Sequence, residues 1–453
     1  MYRGWGPKSQ EIIDISMKYE ILTAYYFTTV RPLIPESGQG AIVRDVDGNE
    51  YLDFLAGFAT LDLGYNHPRL LETLKEQAAK MTHFPDGPNR PRALLAKKLA
   101  EITPEGLNKS TFSLGGGCAV ELGLKLAKTY TGKYGVIAFH GGYHGRTTLG
   151  CLSLTSDNYS REGCGPLMPG VIHVPYAYCY RCAFDKTYPE CDLWCARYVE
   201  HLLEGKLTAV SDVATLIVEP IQGVAGYVVP PDEYIRELAK ICRDHGILLF
   251  VDEIQTAFGR YGDAMTASEA LHIKPDIMCF GKALCGGLPL SGVITTDEIA
   301  EKWHPVKSSE TFMGNPLMCA VALTNLEVLE KMNAPKRAKA LGAYMRKTFT
   351  ETLEDIKIVG DVRGKGCFLA IEMVENKKTK KPISKELCKY ACDLTLKKGL
   401  IANFGAGNYG NVIDIAPPLI ITEEQVDSAA QILREALAET SKRCARADDS
   451  RTD

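Results

Sequence analysis

The sequence predicts an α/β fold: a large domain with a mostly parallel sheet between helices, joined to a smaller α+β domain. Three observations carry this. Between about residues 111 and 292 short apolar runs alternate with helical patterns, as a parallel sheet covered by helices requires. The polar residues that look chemical directly follow those runs, at the strand edge where open α/β sheets bind ligands. After about Asn315 the alternation stops, and one strand pattern and two amphipathic helices take its place.

In chain order, residues 43–52 hold a hairpin signal around Asp47-Gly48. They place the segment 1–62 with the smaller domain. The large domain is expected over 63–318, with strands at 136–139, 171–174, 215–218, 247–251 and 277–280. One crossover is complete in the sequence. After the strand at 215–218, Ile235, Leu238, Ala239 and Cys242 repeat at helical spacing, Gly246 ends the helix, and 247–251 is the next strand. The smaller domain is expected over 319–440. It has a strand at 367–373, a helix over 385–398 stopped by Gly399, and a helix from Thr422 whose partner three residues on is Gln425, a capping-box pairing. The polar tail 441–453 is expected to fray.

The totals exclude several function classes. With 453 residues, 45% hydrophobic and 24% charged, the chain can bury a large core without disulfide staples. Its 52 basic and 56 acidic side chains sum to a net charge of -4, which gives no electrostatic case for nucleic acid or an anionic membrane. No apolar stretch approaches membrane-spanning length, and residues 1–8 have no signal-peptide core, so a cytoplasmic protein acting on small molecules is expected. Its fifteen cysteines are then mostly reduced thiols.

One lysine and one aspartate carry the chemical reading. Lys282 stands two residues beyond the strand at 277–280, and Asp252 ends the strand at 247–251. An aldehyde cofactor needs an amine to hold it as a Schiff base. A pyridine ring needs a carboxylate to keep its nitrogen protonated. The pair points to pyridoxal phosphate. Gly115-Gly116-Gly117-Cys118 precedes a helix with apolar positions Val120, Leu124 and Ala127, so bare N–H groups stack at a positive helix end suited to phosphate. Alone, such a turn is commonplace. Tyr143, beside His144 in a glycine-rich loop after a strand, is either a stacking partner for a flat ring or a packed tyrosine.

Together these residues resemble the class III aminotransferases of fold type I, the pyridoxal-phosphate family that includes ω-amino-acid, 4-aminobutyrate, ornithine and taurine aminotransferases. The resemblance covers nearly the whole chain and is most specific over 249–260 (Leu-Phe-Val-Asp-Glu-Ile-Gln-Thr-Ala-Phe-Gly-Arg) followed by Gly281-Lys282. It implies Lys282 as Schiff-base lysine and proton shuttle, Asp252 as partner of the ring nitrogen, Gln255 near the ring hydroxyl and Tyr143 stacked on the ring. It further implies backbone phosphate binding at Gly116 and Gly117, with His144 and Glu219 on the substrate side, Glu219 also counted at the cofactor. Thr311 matches a threonine that reaches the phosphate of the neighbouring subunit, so a homodimer is implied. The implied reaction is ping-pong transfer of an amino group from an ω-amino compound, of taurine, β-alanine or 4-aminobutyrate type, to a 2-oxo acid.

The chain departs from that pattern in places. Glutamate-using members carry an arginine where Asp414 stands, and an aspartate cannot grip a carboxylate as that bidentate fork does. The stretch 400–403 also lacks the arginine that some pyruvate-using members place there. Racemase, decarboxylase, aminomutase or lyase chemistry on the same scaffold therefore stays open. A Rossmann oxidoreductase is disfavoured because the triple glycine lacks the GxGxxG spacing. A silent binding protein is disfavoured because Lys282, Asp252, Gln255 and Tyr143 are all present. Finally, Cys179-x2-Cys182-x8-Cys191-x3-Cys195 has spacing that suits four thiolates on one structural zinc. Packed thiols and disulfides are its alternatives.

Overall fold

The computed structural model describes residues 6–21, 33–85, 87–205 and 212–449. Residues 1–5 of the start and 450–453 of the tail lie outside the described residues. The chain divides into two compact units, one of residues 1–67 and 340–453 and the other of residues 68–339. The boundary expected at 319 falls inside the helix Pro316–Lys331, whose neighbours Pro68–Lys80 and Arg90–Glu101 keep it in the central unit. In the first unit the helix Pro7–Tyr19 precedes β1 (Pro35–Gln39), β2 (Ile42–Asp45) and β3 (Glu50–Asp53), antiparallel neighbours; the tight turn between β2 and β3 uses Gly48 at φ 91°.

The central unit contains β4 (Lys109–Ser113), β5 (Gly135–Phe139), β6 (Val171–Val174), β7 (Val213–Val218), β8 (Leu248–Asp252), β9 (Ile277–Phe280) and β10 (Ser291–Thr295). They form one sheet in the order β4-β10-β9-β8-β7-β5-β6, in which only β10 runs against its neighbours. Every residue of β5, β7 and β9 is buried, which explains their unbroken apolar runs: a strand covered on both faces has no polar side to alternate with. The crossover helix Asp232–Asp244 buries Ile235, Leu238, Ile241 and Cys242, carries two acids in its first turn, and gives way at Gly246 to β8. Opposite it, the helix Gly116–Thr131 lies so close to the sheet that a Cβ at Gly123 would fall on the Phe250 ring.

The first unit closes with β11 (Val359–Lys365), β12 (Phe368–Asn376), β13 (Lys381–Pro382), β14 (Leu400–Ile401), β15 (Asn403–Ala406) and β16 (Val412–Ile415). β14 adds to β3 in parallel, and the rest form a sheet ordered β11-β12-β16-β15 with β13 beside β12. Within it Arg363 bonds both Glu372 (2.8 Å) and Asp361 (2.9 Å), a buried charge that is paired on each side. The helix Lys385–Lys397 ends before Gly399 (φ 80°), and Thr422 and Gln425 exchange side-chain bonds to each other's backbone at 3.2 and 3.0 Å. The expected frayed tail is corrected here. The last helix continues to Asp449 and buries Thr440 and Cys444, because its apolar stripe extends past the polar residues that suggested an end. Among the described residues no helix is long and apolar enough to cross a membrane.

Candidate active site

The carboxyl ends of β5, β7, β8 and β9 bring the site together within the central unit. Asp252 is the last residue of β8 and is 5% exposed. Its Oδ1 accepts the Ile254 N–H at 3.1 Å, and its Oδ2 lies 2.7 Å from His144 Nδ1. His144 follows β5 and is also buried. Burial by itself pushes the imidazole towards neutrality. The Asp252 hydrogen bond and charge, joined by Glu219, outweigh that and raise its pKa. His144, expected on the substrate side, has its Nδ1 bonded to Asp252.

Glu219 follows β7 at once. Its Oε1 accepts the Tyr143 N–H at 2.8 Å and its Oε2 the Gly223 N–H at 2.9 Å. Burial pushes this carboxyl up to about 7, with the His144 charge opposing, the Asp252 charge adding and the two N–H bonds opposing. Tyr143 is half-buried, and the Arg146 guanidinium lies 5.1 Å from the centre of its ring.

Lys282 opens a 3-10 turn after β9, with Gly281 extended before it. Its φ is 42°, a left-handed conformation that costs about 1 kcal/mol for a non-glycine residue. Such strain persists where surrounding contacts dictate it, and functional sites are where it collects. Ile254 is the packing piece beside it. A Cβ at Gly116 would stand 3.0 Å from the Ile254 side chain and one at Gly281 3.6 Å from it, so the glycine turn and the lysine turn flank one side chain.

The phosphate expectation meets a free helix end. The helix Gly116–Thr131 has Gly115 as N-cap and no side-chain cap, so its first N–H groups have no partner from a capping side chain. A Cβ at Gly115 would meet nothing within 4 Å, whereas one at Gly117 would stand 2.7 Å from Thr147 Oγ1. The helix start thus carries a positive pole that no side chain caps. Thr311 lies on an exposed turn just ahead of Asn315, the N-cap of the helix Pro316–Lys331. Gln255 donates to the Tyr227 hydroxyl at 3.1 Å, and a Cβ at Gly223 would fall on its side-chain oxygen.

Sequence reasoning missed Tyr227 and Ile254, the two residues that orient Gln255 and separate the turns. The only sequence signal for Ile254 was its place inside the specific run. Tyr227 has φ 39° and is buried, neither of which a sequence displays. The four cysteines lie apart from this group. They line one common small cavity in the segment before the helix Trp194–Glu204.

The model of the family described as Aminotransferase class-III matches residues 25–437. An alanine/serine racemase of Pyrococcus horikoshii is 37% identical, over 96% of this chain and 91% of that protein. An acetylornithine aminotransferase of Methanopyrus kandleri is 36% identical, over 95% and 98%. Among solved structures, the (S)-enantioselective omega-transaminase of Thermomicrobium roseum superposes with a TM-score of 0.87 at 32% identity, covering 96% of this chain and 99% of that one.

Proposed function

The chain belongs to the class III aminotransferase family, pyridoxal-phosphate enzymes of fold type I, and on that premise we propose that it moves the amino group of a small ω-amino compound to a 2-oxo acid. Taurine, β-alanine and 4-aminobutyrate represent the donor class. The observation that carries the reading is Lys282 on a strained turn after β9, beside a β8 that ends in an aspartate locked to a histidine at 2.7 Å.

Bound pyridoxal phosphate supplies an aldehyde that captures amines and a ring that draws electrons from the adjacent carbon. Lys282 would hold it as a Schiff base, and its amine would serve as the group that moves a proton at the donor carbon. Asp252 would pair with the ring nitrogen, and His144 holds the Asp252 carboxylate in one orientation through the 2.7 Å contact to Oδ2. The uncapped N–H groups at Gly116 and Gly117 would hold the phosphate. Tyr143 would supply a flat face for the ring, and Gln255 a polar group for its hydroxyl. Glu219, its oxygens bound to two backbone N–H groups, faces the substrate side as a carboxyl poised near neutrality. Thr311 completes the phosphate site of a second copy, so the working unit is a homodimer. Its fifteen free thiols suit a reducing cytoplasm.

Racemisation is the second reading, and a specific observation favours it. Asp414, where an acceptor-gripping arginine is expected, is a buried carboxylate with Asn403 Nδ2 at 3.4 Å, and one of the relatives above is an alanine/serine racemase. The holoenzyme is mixed with β-alanine, 4-aminobutyrate or taurine and no acceptor. Conversion of bound cofactor to its amine form with release of carbonyl product supports transfer. If single enantiomers of alanine or leucine are inverted while the cofactor keeps its aldehyde spectrum and no donor converts it, the second reading replaces the first.

A further inference from the structure

We propose that Cys179, Cys182, Cys191 and Cys195 bind one zinc ion that braces the wall of the central unit behind Glu219. All four thiols line a single cavity of about 20 Å³, room for one water-sized sphere. Tyr176, Phe184 and Trp194 supply aromatic wall, and Lys186 adds a charged side chain to it. Cys179 and Cys182 stand at the two ends of a 3-10 turn, Cys179–Arg181. Cys191 and Cys195 flank the start of the helix Trp194–Glu204, where Asp192 (φ 48°) and Leu193 (φ 49°) are both left-handed. A leucine held in that conformation costs about 1 kcal/mol, which marks the turn as shaped by something beyond its own preferences.

An independent observation lies beside it. The Tyr234 hydroxyl, on the helix Asp232–Asp244 that packs against the helix carrying Cys195, is fully buried with no hydrogen-bond partner among the described residues. A buried hydroxyl without a partner costs about 1–3 kcal/mol. A thiolate held at Cys195 by a metal gives that hydroxyl an acceptor. Four thiolates on a divalent ion leave a net charge of -2, and Lys186 on the cavity wall and Arg181 on the turn bring the opposite charge.

In this structure the sulfurs stand wider than the coordinated state demands. Zn–S bonds of about 2.3 Å place tetrahedral sulfurs about 3.8 Å apart. Among the described residues, the ligand atoms that gather within 4.8 Å of one another belong to Glu200, Glu204 and His245. Binding therefore tightens the two cysteine turns onto the ion. The consequence reaches the site through Tyr176, which lines the cavity and donates from its hydroxyl to the Glu219 carbonyl at 2.9 Å.

The test uses the holoenzyme, purified with reductant from zinc-supplemented cells and exchanged into chelator-free buffer. Plasma mass spectrometry should find about one zinc per chain, and an organomercurial thiol reagent should release it. Cys182→Ser and Cys195→Ser should lower the content roughly tenfold, while Glu204→Gln should not. Should either cysteine variant fail to fold, mercurial release from the wild-type protein decides. The proposal is overturned if wild-type protein carries almost no zinc and takes up none from added zinc chloride, if its intact mass reveals disulfides in the segment, or if Glu204→Gln loses the metal and Cys195→Ser keeps it.

Discussion

In the proposed reaction two side chains make separate demands. Lys282 is the only covalent anchor in the proposed reaction, so Lys282→Ala should abolish the visible absorbance of covalently held cofactor and lower turnover by about a thousandfold or more. A variant that kept both would sink the assignment. Glu219 governs how the site responds to pH. Its folded pKa, about 7, is raised above the ordinary 4.5, so the folded state favours its protonated form. Its contribution to stability is fully present below about 4.5 and is lost as pH rises through 7. His144 acts in the same direction, because its raised pKa adds stability below the ordinary 6.5 that is lost as pH rises through the raised value. Cofactor-free Glu219→Gln should therefore show a flatter melting temperature between pH 5 and 8 than the wild type. Melting curves across that range check it, and parallel curves for the two proteins would refute it. Lys282 and Asp252 stood out in the sequence because one lies two residues beyond an apolar strand and the other ends one. The tie between His144 and Asp252 did not, since 108 residues separate them and only the sheet makes them neighbours.

At the level of elements, the proposed cofactor cradle is a helix end, and its glycines are tested by adding one carbon. Gly117→Ala puts a Cβ about 2.7 Å from Thr147 Oγ1 and 3.2 Å from Cys151 Sγ, closer than those atoms allow. Overpacking of this kind costs about 1–3 kcal/mol. The Kd for pyridoxal phosphate should rise roughly tenfold or more, read by fluorescence titration of the cofactor-free enzyme. Gly115→Ala, with open space around it, should change that Kd little. The buried strands β5, β7, β8 and β9 were readable as short apolar runs, since a strand covered on both faces has nowhere to place polar side chains. The last helix was misjudged at its end. Ser441, Lys442 and Arg443 look like a solvated tail, yet Cys444 one position on is buried, and which face a helix turns inward is set by what it packs against.

For the whole molecule, the proposed dimer has a complementation test. Lys282→Ala and Thr311→Ala chains are each expected to be nearly inactive. If Thr311 serves the neighbouring subunit, unfolding and refolding them together restores about a quarter of wild-type activity, because half the dimers are mixed and each holds one site with both residues. No recovery would mean that Thr311 acts within its own chain. The sequence by itself determined the architecture and the reaction family: strand and helix periodicities are local, and the lysine and aspartate carry their meaning in their distance from a strand end. Tertiary structure alone decided what the buried polar groups do with each other. It committed His144 to Asp252, gave Glu219 two backbone partners and assigned Tyr227 to Gln255. The reason is physical. Burial obliges each polar group to find a partner, and that partner is set by which strand ends the sheet order makes adjacent, a relation no stretch of sequence contains.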